Sequence, residues 1–215
     1  MQKLSLPQAI SVILVILSFM TTLYVYPQLP DKIASHWGID GKVNGYMDKP
    51  IGAFMLPALA LLTLALLYAL PLLDPLRKNY AAFKGEYEGM IAMLIGFFYY
   101  VHLLTIAYSL GYPVEMGRFL SPAFGALFYY LGIVLSKAKQ NWFVGIRTPW
   151  TLSSPAVWDK THKLCSKLFK AAGIIALLGA FFEPMLLASV AVLFAAAVLS
   201  VVYSYVEFSK EKKTL

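Results

Sequence analysis

Long apolar runs separated by short polar segments dominate the chain, and their length predicts membrane-spanning helices. A helix that crosses the hydrocarbon core of a bilayer needs about 20 predominantly apolar residues. Five runs without Asp, Glu, Lys or Arg meet or approach this length: residues 6–26, 51–73, 89–112, 119–136 and 184–206. Each is therefore predicted to form a transmembrane helix.

A sixth apolar run, residues 171–182, is too short to cross the membrane alone. It reaches spanning length if its helix begins near Leu164, with Lys167 and Lys170 extending towards the headgroups. A re-entrant segment is the alternative, and it would leave five spans with the C-terminus outside. The predicted fold is an all-α polytopic membrane protein with about six transmembrane helices, in a single membrane domain over residues 1–215.

The distribution of basic residues favours six spans, because cytoplasmic loops carry an excess of Lys and Arg. With six spans, the other fourteen of the 18 basic residues lie opposite Lys32, Lys42, Lys49 and Arg118. The richer side is assigned to the cytoplasm, together with both termini. Residues 27–50 then form an extracytoplasmic loop, and residues 137–163 form a cytoplasmic motif loop.

Composition agrees with a membrane protein and narrows the classes of partner. Hydrophobic residues make up 60% of the chain and charged residues 13%, whereas soluble domains have roughly 45–50% and 25%. The net charge is +7, and the basic residues that produce it flank the apolar runs. Membrane topology and contact with lipid headgroups therefore explain this charge. Direct binding of nucleic acid is not expected. The lone cysteine, Cys165, excludes an intrachain disulfide.

The extracytoplasmic loop combines turn signals with an aromatic pair. Asp40-Gly41 and Asn44-Gly45 are turn dipeptides, and Asn44-Gly45 predicts the turn of a small hairpin. His36 beside Trp37 has two interpretations: a contact for a ligand, or an interfacial anchor with a local hydrogen bond. The candidate ligand-binding residues of this loop are His36, Trp37, Tyr46 and Lys49.

The second half of the motif loop predicts the start of a helix. Ser153 or Ser154 can cap it, and Pro155 suits its first position. Lysines then recur at steps of three, four and three residues, which places them on one stripe: Lys160, Lys163, Lys167 and Lys170. This pattern predicts a short amphipathic cytoplasmic helix that leads into span five.

The first half of the motif loop singles out Arg147, which lies among apolar residues rather than in a basic run. A guanidinium there seeks a carboxylate, a phosphate or backbone carbonyls. Three interpretations stay open: a lipid-phosphate anchor, a clasp to Asp159, or a site for a cytosolic partner. The candidate residues of the inner motif are Asn141, Trp142, Gly145, Arg147, Thr148, Pro149, Trp150, Trp158, Asp159 and His162.

One histidine, His102, falls inside a predicted span. An ionisable residue at membrane depth is a functional candidate, although a neutral imidazole also serves as a structural bond between helices; Tyr129 and Tyr130 of the next span could face it. The three histidines of the chain are predicted on the outer side of the membrane, in a span and on the cytoplasmic side, so they cannot share a metal. No catalytic or phosphate-binding motif is present, and neither an enzyme activity nor a cofactor is expected.

Two segments carry a family resemblance. Residues 141–152 read NWFVGIRTPWTL and are followed by Val157-Trp158 and Thr161-His162, which closely resembles the signature of the SdpI family. The outer loop, with His36-Trp37, Gly45-Tyr46 and Lys49-Pro50, resembles the domain of unknown function found at the N-terminus of these bacterial proteins. Together the two patterns cover most of the chain.

The resemblance implies an immunity and receptor role. The family is named for a bacterial immunity protein that protects a producing cell from its own secreted peptide toxin and is described as a receptor that holds a transcriptional repressor at the membrane. For this chain it implies a toxin or other ligand at the outer loop and a regulator at the motif loop. Two other classes stay open from the residues alone: a transporter or channel for small solutes, and a structural or lipid-interacting membrane protein.

Overall fold

A computed structural model describes residues 4–38, 41–182 and 184–214 of the chain. Its elements follow one another as α1 Leu6–Val25, β1 Lys32–Trp37, β2 Val43–Asp48, α2 Lys49–Leu73, α3 Lys84–Ser109, α4 Met116–Lys137, α5 Pro149–Ser153, α6 Pro155–Leu178 and α7 Pro184–Thr214. Single 3-10 segments, Tyr26–Gln28 and Arg77–Phe83, follow α1 and precede α3. The hairpin lies at one end of the helices, called here the hairpin end, and residues 137–163 lie at the other, the motif-loop end.

Within the described residues, five helices are long and apolar enough to cross a membrane, and they match the five predicted runs: α1, α2, α3, α4 and α7. Helix α6 has 24 residues but is charged in its first half, so length and composition do not place it among them. The stretch predicted as a separate amphipathic helix forms this first half, and α6 continues from it without interruption to Leu178. The sixth span stays a prediction.

The prediction of an all-α fold is wrong in one respect, because β1 and β2 form an antiparallel hairpin. The turn signals predict a hairpin here, but Asn44-Gly45 does not close it. Both residues lie within β2, where Gly45 pairs with His36, and the strands are joined before them, where the backbone nitrogen of Gly38 donates to the carbonyl of Lys42 at 2.8 Å. A Cβ on Gly45 would lie 2.9 Å from the Cβ of His36, so this glycine permits close approach of the strands. Asp40 lies outside the described residues.

Strand β1 is fixed to the helices by Ile33, which is buried. It packs in a cluster with Leu29, Ala53 and Ile106, which joins the hairpin to α2 and α3. A Cβ on Gly52 would lie 2.6 Å from the Cβ of Ile33, so β1 sits directly against the α2 backbone. The hairpin is therefore seated on the ends of two helices rather than suspended from its connections.

Helices α1, α2 and α3 form one group, in which α1 presents small residues to its neighbours. Its buried residues recur with helical spacing: Ser11, Val15, Ser18 and Thr22. The hydroxyls of Ser11, Ser18 and Thr22 donate to carbonyls of α1 itself, at 2.8, 2.7 and 3.0 Å. Because these polar groups are satisfied within the helix, α1 can bury them at little cost.

Helices α4 and α6 are antiparallel and pack through glycines over most of their length. A Cβ on Gly173 would lie 2.6 Å from the backbone nitrogen of Tyr129, and one on Gly132 would lie 2.9 Å from the carbonyl oxygen of Ser166. Ser121 Oγ donates to the carbonyl of Ala176 at 2.8 Å. Close backbone approach through small residues is typical of helix pairs in membranes, where van der Waals packing drives association.

Substituting Gly173 with Ala should weaken this pair. The added Cβ has no space against the backbone of α4, and overpacking typically costs about 1–3 kcal/mol. We expect a lower thermal midpoint in detergent, read by fluorescence-detected gel filtration. Gly117→Ala is the matched control, because it changes another helical glycine of the pair that has no atom within 4 Å of the new Cβ. Equal midpoints for the two variants would contradict glycine-mediated packing.

Candidate functional site

The motif loop is organised by Asn141, whose side chain is fully buried. Its Oδ1 accepts hydrogen bonds from the backbone nitrogens of Phe143 and Val144, at 2.9 and 2.6 Å. Its Nδ2 donates to the carbonyls of Lys139 and Val144, at 2.8 and 2.9 Å. One amide therefore satisfies backbone groups that a turn would otherwise leave unpaired in a buried place.

Asp74, at the end of α2, ties the loop to the rest of the protein. It is buried, and its Oδ2 accepts from the backbone nitrogen of Trp142 at 2.9 Å. The hydroxyl of Tyr80 lies 3.1 Å from the same oxygen and 3.2 Å from Asn141 Oδ1. Asn79 Nδ2 donates to the carbonyl of Gln140 at 2.7 Å. The α2–α3 connection and the motif loop thus form one hydrogen-bonded unit.

A second anchor is the stack of Trp158 and His162 on the first turns of α6. The rings lie 3.9 Å apart at 19°, and both side chains are buried. Trp158 Nε1 donates to the carbonyl of Ala138 at 2.9 Å, which closes the loop at its base. His162 Nε2 accepts from the backbone nitrogen of Ile146 at 3.0 Å, so Nδ1 carries the proton and donates to the Trp158 carbonyl at 2.8 Å.

The protonation state of His162 follows from its surroundings. It lies outside the five candidate spans, and burial lowers its pKa to about 4, so the ring is neutral near pH 7. Gly145 leaves room for it: this residue has φ +118, and a Cβ there would lie 2.2 Å from His162 Nε2. A side chain at Gly145 would therefore be strained and would displace the imidazole.

The second half of the loop is held against α7. Thr148 caps α5 and forms a reciprocal pair of hydrogen bonds with Thr151, which suits Pro149 at the first position of the short helix. The hydroxyls of Thr148 and Ser204 lie 3.1 Å apart. The ring of Trp150 packs edge-on against Tyr205 of α7, with centroids 5.1 Å apart.

Arg147 does not form the clasp to Asp159 that is one interpretation of the sequence. Its Nη1 donates to the carbonyl of Trp142 at 2.8 Å, while Asp159 lies 3.6 Å from Lys139 Nζ. The Trp142 carbonyl belongs to the same loop as Arg147, whereas Asp159 lies on α6 and pairs with Lys139 at the start of the loop. Arg147 stays exposed, and the side chain of Trp142 is 50% exposed. These two residues form the accessible face of the motif loop.

At the hairpin end, the four predicted residues have different environments. His36 is exposed, and its Nδ1 bonds to Asn44 Oδ1; Tyr46 is 58% exposed. Trp37 instead packs edge-on against Tyr108 of α3, with centroids 5.7 Å apart. Lys49 Nζ lies 4.8 Å from the ring centroid of Tyr26. His36 and Tyr46 are accessible, whereas Trp37 and Lys49 are engaged with the helices.

His102 bonds α3 to α1 rather than to the tyrosines of α4. It is buried, and its Nε2 lies 2.8 Å from Thr22 Oγ1. The same hydroxyl is 3.2 Å from the carbonyl of Ala53 in α2, so one node joins three helices. Tyr130 lies near Gly89, and Tyr129 lies against Gly173, both away from His102.

The chain matches two family profiles and one curated relative. The profile of the SdpI/YfhL protein family matches residues 137–204, and that of a domain of unknown function, DUF1648, matches residues 13–61. The immunity protein SdpI of Bacillus subtilis (strain 168) is 30% identical over 203 residues, which is 94% of this chain and 95% of that protein. The chain belongs to the SdpI/YfhL family. No solved structure matches it.

Each profile contains one of the two candidate sites. The SdpI/YfhL match begins at the base of the motif loop and runs through α6 into α7. The DUF1648 match contains the second half of α1, the hairpin and the first half of α2. Multiple apolar helices and the full-length similarity make this a multi-pass membrane protein of the SdpI immunity type.

Sequence reasoning missed the residues that hold the motif loop from outside it. These are Asp74, Asn79 and Tyr80 on the α2–α3 connection and Ser204 on α7. The available signal was that residues 74–84 fall on the same predicted side of the membrane as residues 137–163.

We expect Asp74→Asn to release the motif loop. With its oxygen towards Leu76, the amide would present Nδ2 to two other donors, the Trp142 nitrogen and the Tyr80 hydroxyl. Losing hydrogen bonds to a buried carboxylate should lower stability by roughly 2 kcal/mol or more. The measurement is the rate of tryptic cleavage after Arg147, which should rise, together with the thermal midpoint in detergent, which should fall.

Asp159→Asn is the matched control for that change. It removes a carboxylate from the same end of the protein, but its pair with Lys139 is at 3.6 Å with side chains 48% and 53% exposed. Exposed pairs contribute little to stability, so the control should behave as the wild type does. A clamp formed by Asp74 would be ruled out if the two variants were cleaved at the same rate.

Proposed function

We propose that the protein confers immunity by binding a secreted peptide toxin, or another ligand, at the outer hairpin. We further propose that it presents the motif loop to a cytosolic regulator. The observation that carries this proposal is the placement of helices α2 and α3, which contact the hairpin at one end and the motif loop at the other. Membership of a family that includes an immunity protein supplies the biological setting.

The proposed topology has six spans, with both termini and the motif loop in the cytoplasm. Helix α6 supports it, because contacts with α4 run from Ser121–Ala176 to the bond between Trp158 and Ala138. A helix that follows a spanning partner over this length occupies the same depth of the bilayer. The bonds between Asp74 and the motif loop put both connections at one end, in agreement with their shared excess of basic residues.

The proposed ligand contacts are the two predicted hairpin residues whose side chains are accessible, His36 and Tyr46. Hydrogen bonding to Asn44 orients the imidazole of His36, which reduces the entropy lost on binding. Trp37 and Lys49 would act by fixing the hairpin to α3 and to Tyr26. An exposed aromatic ring and a hydrogen-bonding imidazole on the same hairpin suit an amphipathic peptide, which offers both apolar groups and amides.

A route for coupling runs along α2 and α3. Ile33 of the hairpin packs against Ala53 of α2 and Ile106 of α3. At their other ends, Asp74 closes α2 and Tyr80 precedes α3, and both bond the motif loop. A ligand that binds one arrangement of α2 and α3 better than another would shift the equilibrium between the matching arrangements of the motif loop. The size of the shift equals the difference in binding free energy.

The direct test is survival of a sensitive bacterium that expresses the chain and is challenged with the toxin of the SdpI system. We expect His36→Ala and Tyr46→Ala to lose protection at normal membrane abundance, because each removes an accessible hairpin contact. Tyr112→Ala is the matched control, since Tyr112 is similarly exposed, at 64%, just beyond α3. If the wild type, well expressed, gave no protection, the immunity proposal would fail, and ligand-dependent flux in liposomes would test the transporter alternative.

The coupling proposal has a separate readout on purified protein in detergent. Adding toxin should change the rate of tryptic cleavage after Arg147 by roughly fivefold or more, the range of ordinary allosteric coupling. The His36→Ala variant should show the same cleavage rate with and without toxin. If the wild-type protein protected cells and its hairpin variants did not, but toxin left the wild-type cleavage rate unchanged, coupling would be refuted and the immunity proposal would stand.

A further inference from the structure

Three lysines on α6 form an outward-facing basic stripe, here Lys163, Lys167 and Lys170. Lys163 and Lys167 are exposed and Lys170 is half-buried. At 100° per residue the three lie within about 60° of one another. The buried residues of α6, such as Trp158, Cys165 and Ala172, lie on the opposite side of the helix. The stripe therefore faces away from this buried side of α6, and Lys170 lies at its edge, where α6 packs on Gly132 of α4.

The packing of α6 on α4 gives the depth of this stripe. A Cβ on Gly132 would lie 2.7 Å from Cγ of Lys170, and Gly132 is one and a half turns before the end of α4 at Lys137. At 1.5 Å rise per residue, the stem of Lys170 lies about 7 Å below that end. Lys163 lies about 10 Å further along α6 towards the motif loop. The stripe thus descends from the motif-loop end into a depth that α4 crosses as an apolar span.

These cations are not neutralised by the part of the chain that the structure describes. Lys160, which precedes them, lies 2.7 Å from Glu207, but Lys163, Lys167 and Lys170 have no carboxylate within 4 Å in the described residues. An unpaired ammonium at this depth is costly. Side chains of α6 lean towards its N-terminus, so each ammonium points back towards the membrane surface at the motif-loop end.

A second copy of this chain offers few carboxylates for these cations. Glu88 and Glu207 are buried and already paired, which leaves the half-buried Glu86 and Glu211 at the same end of the protein. The exposed pairs of Glu115 and Asp159 lie at the ends of helices. By contrast, anionic phospholipids of the same leaflet carry phosphates at the level that leaning lysine side chains reach.

We propose that the basic stripe of α6 binds the phosphate of an anionic phospholipid, with Ile174 and Leu177 receiving its acyl chain. Both apolar residues are exposed, at 53% and 41%, and follow the lysines along the same side of α6. The site is a lipid-binding groove on the outside of the helix bundle. It rests on the proposed membrane position of α6 but not on toxin protection, so failure of the immunity test would leave it intact.

The test is native mass spectrometry of the purified full-length protein, titrated with phosphatidylglycerol or with phosphatidylcholine. We expect the wild type to bind phosphatidylglycerol roughly tenfold to a hundredfold more tightly, since each lysine near an anionic headgroup contributes to affinity. Lys163→Gln, Lys167→Gln and Lys170→Gln together should abolish this preference. Inorganic phosphate, added without lipid, should not stabilise the wild type.

A matched variant separates a specific site from general attraction. Arg77→Gln, Lys78→Gln and Lys137→Gln remove three exposed positive charges from the same end of the protein and should leave the preference in place. Equal losses in the two variants, an unchanged preference in the α6 variant, or equal stabilisation by inorganic phosphate would each overturn the proposal. If the triple α6 variant fails to fold, Lys167→Gln against Lys137→Gln gives the same comparison.

Capture of another occupant would also decide against a lipid. A dimer or a bound acidic protein that the α6 substitutions release, with no change in the phosphatidylglycerol preference, would assign this face to a protein. The lipid site predicts the opposite result: the substitutions change lipid selectivity and leave the oligomeric state as it is.

Discussion

The buried carboxylate of Asp74 connects the two halves of the motif-loop end. It accepts a hydrogen bond from the backbone nitrogen of Trp142, and the hydroxyl of Tyr80 lies within hydrogen-bond distance of both Asp74 and Asn141. Without this carboxylate, the turn organised by Asn141 would keep its local bonds and its bonds to Asn79 and Tyr80, but it would lose its attachment to the end of α2. A buried polar network of this kind is stable only when all its members are paired. The position of Arg147 and Trp142 at the surface depends on it, since both belong to the segment that Asp74 fixes.

The rest of the bundle follows a different rule, in which small residues replace polar contacts. Helices α4 and α6 meet through Gly132 and Gly173, and α1 presents serines that bond to their own backbone. In an apolar solvent, burial of larger side chains offers little driving force between helices, so close backbone contact and van der Waals packing dominate. The helices are therefore held by shape along their length, and by directional polar bonds at their ends.

This division fits the proposed coupling. The α4–α6 pair supports the base of the loop through the bond between Trp158 and Ala138, whereas α2 and α3 contact both the hairpin and the loop and would transmit a change between them. The proposed lipid surface of α6 is a third one, because the lysine stripe lies on the outside of this pair and away from the proposed route of coupling. Ligand, regulator and lipid would thus use separate faces of one small membrane domain.

Local properties of the sequence determined much of this organisation. Hydropathy sums over neighbouring residues, and it identified the five apolar helices within two or three residues at most ends. Capping chemistry is also local, and Ser154 and Pro155 begin α6 as the sequence predicts. The motif at residues 141–152 is sufficient to indicate the family, because its residues are contiguous and can be recognised in the order in which they occur.

Only the tertiary structure decided which groups meet across the chain. Asn44-Gly45 has the chemistry of a turn, yet it lies within β2, because pairing with β1 and the seating of Ile33 on the helices determine the register. Arg147 bonds to a carbonyl rather than to Asp159, and Asp74 reaches a loop 68 residues away. Such partners depend on how distant segments close on one another, and competition between several possible partners has no signature in a local pattern.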